Sequence, residues 1–162
     1  MEKMMPPISV LVIENDLEYR RTFKQALKKA KVPAKIISIK HGRKTKYWLE
    51  RTNFLPDIIF LDLDSDALGP WSLLQQLRGS KRISNVPIIV FSESTYIDEI
   101  KETFDSGANL YVPKPVFSRE QIKAVQTIFN GDWKTKLMNR NKNRYVINST
   151  TETQATLGLY PS

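Results

Sequence analysis

Five short apolar runs divide the chain, at residues 8–13, 35–39, 58–61, 87–91 and 109–112. They are rich in Ile and Val and nearly continuous rather than alternating, the pattern of strands buried on both faces. Between them, apolar residues recur at helical spacing. Leu17, Phe23, Ala26 and Leu27 predict a helix over 16–30, Tyr47, Trp48 and Leu49 a short one over 43–51, and Leu73, Leu74 and Leu77 a third over 71–78. Residues 97–104 and 118–129 give two more. The punctuation agrees. Asn15 with Glu18, and Ser118 with Gln121, read as capping arrangements; Pro70 suits a first helical turn; Gly107 and Gly131 stand where helices stop. Five strands alternating with five helices demand an α/β fold: a doubly wound five-stranded parallel sheet, helices on both faces, right-handed crossovers.

From Trp133 the periodicity dissolves. Residues 134–144 are basic and polar, with Asn139, Asn141 and Asn143 interleaved, and 150–156 are rich in Thr. The reading is therefore a domain over 1–131 and a basic, polar C-terminal tail over 132–162, mostly extended. Its exceptions are Trp133, Tyr145-Val146-Ile147 and Leu157-Gly158-Leu159-Tyr160, apolar groups able to dock on the body or on a second copy, which leaves a homodimer open.

Composition narrows the chemistry. The 162 residues include no Cys and one His, His41, which excludes disulfides, thiol nucleophiles, zinc-thiolate sites and multi-His metal sites. No apolar run approaches the roughly 18–20 residues that span a bilayer, and residues 1–7 lack the apolar core of a signal peptide, so the expectation is a cytoplasmic protein with no membrane contact. The net charge of +8 is uneven: twelve bases and one acid lie between Arg20 and Arg51, four acids and no base between Asp57 and Asp66. The basic stretch reads as a solvated face rather than a nucleic-acid surface. His41 and Asp57 read as loop and turn residues, and Tyr47 and Trp48 as partly core.

In an open α/β sheet, ligands bind at the carboxyl ends of the strands. The first strand ends in Glu14-Asn15-Asp16, the third in Asp62-Leu63-Asp64, the fourth in Ser92-Glu93 and the fifth in Pro113-Lys114-Pro115. Carboxylates suit Mg2+, a hard ion that takes few protein ligands and keeps waters. A lysine and a hydroxyl beside it suit a phosphoryl group, and an aspartate can itself be the nucleophile.

At these residues the chain resembles the receiver domain of bacterial response regulators, over about residues 8–130 and most specifically at 55–63 and 107–115. The resemblance implies a flavodoxin-like sheet of order 2-1-3-4-5. It also implies Asp62 as phosphoacceptor, Ser92 as switch hydroxyl, Lys114 as partner of the phosphoryl oxygens, Tyr111 as an aromatic rotamer switch and a cis Lys114–Pro115 bond. Mg2+ would be held by Glu14, Asn15, Asp62 and the Asp64 carbonyl. The implied partners are a sensor histidine kinase or phosphotransfer protein and a downstream protein effector. No enzymatic activity is implied beyond self-catalysed phosphotransfer and dephosphorylation at Asp62.

Two positions depart from the family pattern. Asn15 stands where a second acid is usual, and the loop after Asp62 is altered. At an effective dielectric near 20, a unit charge pair at 4 Å is worth roughly 4 kcal/mol before desolvation and screening; a net loss of ~1.4 kcal/mol would weaken Mg2+ about tenfold. Asp64 and Asp66 are candidates to replace that charge. The leading reading is a single-domain response regulator. The alternatives are a degenerate pseudo-receiver that binds proteins without phosphorylation, and a nucleic-acid binder using the basic stretch and tail.

Overall fold

The structure, a computed structural model, describes residues 6–40, 44–65, 71–115 and 117–147. Five strands, β1 (Ile8–Ile13), β2 (Ala34–Ile39), β3 (Ile58–Asp62), β4 (Ile88–Ser92) and β5 (Leu110–Pro113), form one all-parallel sheet of order β2-β1-β3-β4-β5. The helices are α1 (Leu17–Lys29), α2 (Thr45–Arg51), α3 (Ser72–Arg78), α4 (Ile97–Asp105), α5 (Ser118–Ile128) and α6 (Trp133–Met138).

The strands alternate sides residue by residue, which splits the core in two. Val10, Val12, Ile58, Phe60, Phe91 and Val112 pack with Phe23 and Leu27 of α1 and Val125 and Ile128 of α5. Leu11, Ile13, Ile59, Leu61, Val90 and Tyr111 pack with Leu49 of α2, Leu74 of α3 and Ile100 of α4. β1, β3, β4 and β5 are thus apolar on both faces, as the continuous runs require.

Several local expectations are corrected. The cap of α1 is Asp16, whose carboxylate accepts the N–H groups of Glu18 and Tyr19; Asn15 lies one residue too early. α5 begins at Ser118 itself, after Phe117, with no side-chain cap. Leu17 is 61% exposed and Tyr47 is 61% exposed. The buried stripe of α1 instead runs through Phe23, Ala26 and Leu27, with Tyr19 partly buried against it, and Tyr47 lies under the Arg51 guanidinium, 3.4 Å from its ring centroid. Asp57 does more than turn the chain: its carboxylate accepts the Ser9 N–H at 2.8 Å, bracing β1 against β3. No peptide bond among the described residues is cis. The Lys114–Pro115 bond is therefore trans, the form favoured by about 0.5–1 kcal/mol before proline. Pro70, Asp66 and His41 lie outside the described residues.

The largest departure is at the C-terminal end. Within the segment expected to be an extended tail, residues 133–144 form α6 and then a 3-10 turn (Lys142–Arg144); residues 148–162, with Leu157-Gly158-Leu159-Tyr160, lie outside the described residues. Leu137, Tyr145, Val146 and Ile147 are buried in the two cores. A period too short to register as a helix, six residues, hides among lysines and asparagines, and the burial rests on isolated apolar residues rather than on a stripe.

Candidate functional site

Strand register assembles the site. Ile13 lies beside Leu61, Asp62 beside Phe91, and Ser92 beside Pro113. The next residue along three of these strands is then Glu14, Ser92 or Lys114, so the four polar groups meet at one edge. The Lys114 backbone N–H donates to the Ser92 carbonyl at 2.9 Å, and the Glu14 N–H to the Ile39 carbonyl at 3.1 Å, fixing the strand ends that carry them.

The lysine is the hub. Its Nζ lies 3.0 Å from Glu14 Oε2 and 3.2 Å from Asp62 Oδ2. Glu14, Asp62 and Ser92 are only 2%, 3% and 2% exposed, so these charges act with little screening by water. Glu14 Oε1 accepts the Asp16 N–H at 3.0 Å, and Asp62 Oδ1 accepts the Asp64 N–H at 3.1 Å. Both carboxylates are therefore held in orientation by the turn that follows their own strand. Burial, and then the hydrogen bond and charge of Asp62, push the Glu14 carboxyl up to about 7 against the opposing pull of the Asp16 N–H and Lys114. Burial pulls Lys114 down, but the two carboxylates outweigh it and hold the ammonium above its ordinary range.

Ser92 ends β4 with its Oγ accepting the Ser94 N–H at 3.1 Å. Tyr111 is fully buried, and its hydroxyl donates to the Ser94 carbonyl at 2.6 Å. Asn15 and the Asp64 residue are exposed at the mouth of the site. One member escaped sequence reasoning: Tyr19, whose ring lies under the Lys114 ammonium with the Nζ 4.5 Å from its centroid. Its signal was present as the spacing 19, 23, 26, 27 on α1, and it was masked by Leu17, which suggested a different helical phase.

When both buried carboxyl groups are ionised, two negative charges face one ammonium, an excess that a divalent cation would neutralise. Among the described residues no three carboxylate or imidazole groups converge as a ready-made metal cluster. That donor set suits Mg2+, which takes one or two carboxylates and keeps several waters, better than an ion needing an all-protein cage.

A doubly wound sheet presenting two carboxylates, a hydroxyl and a lysine at its C-terminal edge has the layout of a receiver. The family model of the response regulator receiver domain matches residues 10–126, well over half the chain, and the chain belongs to that family. Receiver domains are generally signalling modules rather than enzymes; they bind Mg2+ at their active site and interact with histidine kinases or phosphotransfer proteins and with effectors. Among curated relatives, the response regulator Rcp1 of Synechocystis sp. is 21% identical over 128 residues, 76% of this chain and 87% of its own. Among solved structures, the phosphorylated cyanobacterial phytochrome response regulator RcpA aligns with a TM-score of 0.69 at 21% identity, covering 76% of this chain and 91% of its own. The Mn2+-bound form of Rcp1 aligns with a TM-score of 0.67 at 20% identity, covering 75% and 91%. No helix among the described residues is long and apolar enough to cross a membrane.

Proposed function

We propose that this chain is a response-regulator receiver that accepts a phosphoryl group on Asp62. The observation that carries the reading is the partly buried Lys114 ammonium held between Glu14 and Asp62. An Asp62 oxygen attacks the phosphorus of a phosphohistidine or small acyl phosphate, an O–P bond forms, and the bond to the donor's nitrogen or oxygen breaks, leaving an aspartyl phosphate. Lys114 pairs with the incoming phosphoryl oxygens, exchanging a carboxylate partner for a phosphoryl one. Ser92 turns its hydroxyl from Ser94 toward the same group. Glu14, Asp62, Asn15 and the Asp64 carbonyl would hold Mg2+, which neutralises charge on the transferring phosphoryl group. Support comes from a phosphorylated relative, RcpA, and a Mn2+-bound one, Rcp1, both sharing the fold. The signal would pass to a protein partner, with a kinase or phosphotransfer protein upstream.

The test is intact mass after incubation with acetyl phosphate and Mg2+. One added phosphoryl group is expected on the parent and none on Asp62→Asn. No gain on either protein, or an equal gain on both, would refute the reading. Asn15 and the altered sequence after Asp62 favour a second reading, a pseudo-receiver that binds partners without phosphorylation, and an unmodified parent would support it.

A further inference from the structure

Residues 133–147 lie beyond the part of the chain that the receiver model matches, and they wall a cavity that the sheet and its first five helices do not enclose by themselves. The Tyr111 N–H donates to the Tyr145 carbonyl at 2.9 Å, and the Ile147 N–H donates to the Tyr111 carbonyl at 3.0 Å. Val146 is thereby laid along the outer edge of β5 in a parallel bridge with Tyr111. The Tyr145 ring meets Phe104 of α4 edge-on at 5.0 Å. On α6, the Leu137 carbonyl accepts Asn109 Nδ2 at 2.9 Å, while Asn109 Oδ1 accepts the Ile88 N–H at 2.9 Å. One buried amide therefore fastens α6 to the sheet. Between α5, β5 and this added segment lies a cavity of about 140 Å³.

The floor of the cavity is apolar: Leu110, Ile128, Leu137 and Ile147, all buried. Its rim is cationic and rich in donors: Lys136, Asn139, Asn141 and Arg144, all exposed. Lys136 and Arg144 have no ion-pair partner among the described residues, and no carboxylate among those residues lines the cavity. The Asn141 oxygen already accepts the Asn143 N–H at 2.8 Å, so Asn141 offers its amide hydrogens. An apolar floor under two uncompensated cations suits a ligand with an apolar body and an anionic end. The body gains by leaving water, and the anion gains charge-assisted hydrogen bonds. Inorganic phosphate would leave the floor unfilled, and a fatty acyl chain exceeds the space. The volume is close to the roughly 150 Å³ that holds benzene in an apolar protein cavity, which sets the body at about six carbons. We infer that this cavity binds a small organic anion, a carboxylate on a ring-sized apolar body. Lys136, Leu137, Arg144 and Ile147 all come from the added segment, so the site exists only while that segment is docked. A ligand that binds the docked state alone stabilises docking by mass action. None of these residues belongs to the Asp62 site.

The experiment uses the full chain with benzoate as the probe. Acetate carries the same charge without the ring, and benzylamine carries the ring with the opposite charge. Calorimetry is expected to give benzoate a Kd below about 1 mM, acetate an affinity at least about tenfold weaker, and benzylamine no binding. Benzoate is expected to shift the amide resonances of Leu110, Ile128 and Ile147. Lys136→Gln and Arg144→Gln, at exposed positions that the fold does not rest on, are each expected to weaken benzoate about threefold to fivefold. Hydrogen exchange at the Ile147 amide is expected to slow about tenfold at a benzoate concentration of about ten times Kd. No benzoate binding, equal affinity for acetate or benzylamine, parent affinity in both variants, or shifts confined to the basic face of α1 overturns the site. Shifts at the cavity with unchanged exchange at Ile147 overturn the bracing of the segment and leave the binding site standing.

Discussion

Lys114 faces Glu14 and Asp62 at 3.0 and 3.2 Å, one ammonium shared by two carboxyl groups, and burial and Asp62 raise Glu14 to about 7, so the negative charge of the site grows as Glu14 ionises. Asn15, at the exposed mouth, is where a further charge would act most directly on a bound cation. Asn15→Asp is expected to tighten Mg2+ about tenfold, the effect of a net gain of ~1.4 kcal/mol. It should also lower the stability of the metal-free protein, because a third carboxylate then crowds two that share one ammonium. Calorimetric titration of Mg2+ and urea unfolding of parent and variant read both effects, and unchanged affinity would mean that position 15 does not reach the metal. Glu14, Asp62, Ser92 and Lys114 were legible because each ends an apolar run, and parallel strands in register bring such ends together. Tyr19 was not, because its place under Lys114 depends on the phase of α1, and the phase suggested by Leu17 was wrong.

At the scale of elements, all five strands and the first five helices follow from periodicity, while their caps follow it less well. A cap depends on one side chain's reach: Asp16 supplies the oxygen that Asn15 was expected to supply, and Phe117 precedes α5 with none. The end of α4 shows what a single residue can decide. Gly107 has φ of +104°, and a Cβ there would lie 2.5 Å from Arg78 Cγ. Nothing can give easily, because Arg78 is pinned by the Gly107 carbonyl at 2.6 Å, the Val86 carbonyl at 2.8 Å and the Asn109 side chain. Burial, then the charge of Arg140, lowers its guanidinium to about 10, still protonated at neutral pH. Gly107→Ala is therefore expected to cost about 1–3 kcal/mol, from backbone strain and from displacement of this arginine. Urea unfolding measures it, and a cost below about 0.5 kcal/mol, the ordinary range for surface changes, would show that the arginine yields freely.

The whole molecule is larger than its periodic part. Sequence pattern places the end of the domain at Gly131, yet packing continues to Ile147. Trp133 meets Phe129 at 5.2 Å, Asn109 Nδ2 donates to the Leu137 carbonyl at 2.9 Å, and Tyr145 fills the space between α4 and β5. We therefore expect the folded unit to need residues 132–147, the reverse of what the polar composition of that segment suggests. A chain ending at Gly131 loses four buried side chains, Leu137, Tyr145, Val146 and Ile147. It also leaves the N–H and carbonyl of Tyr111 without their partners on the β5 edge. Removing one large side chain from a core costs about 2–5 kcal/mol. Even the lower figure lowers the melting temperature by roughly 4–8 °C at this size. The comparison is between chains ending at Gly131 and at Ile147, since the second keeps every contact just described. Equal melting temperatures would show that the segment rests on a body already complete, while a fall of the expected size would make 132–147 part of the domain, with β5 stabilised from both of its edges.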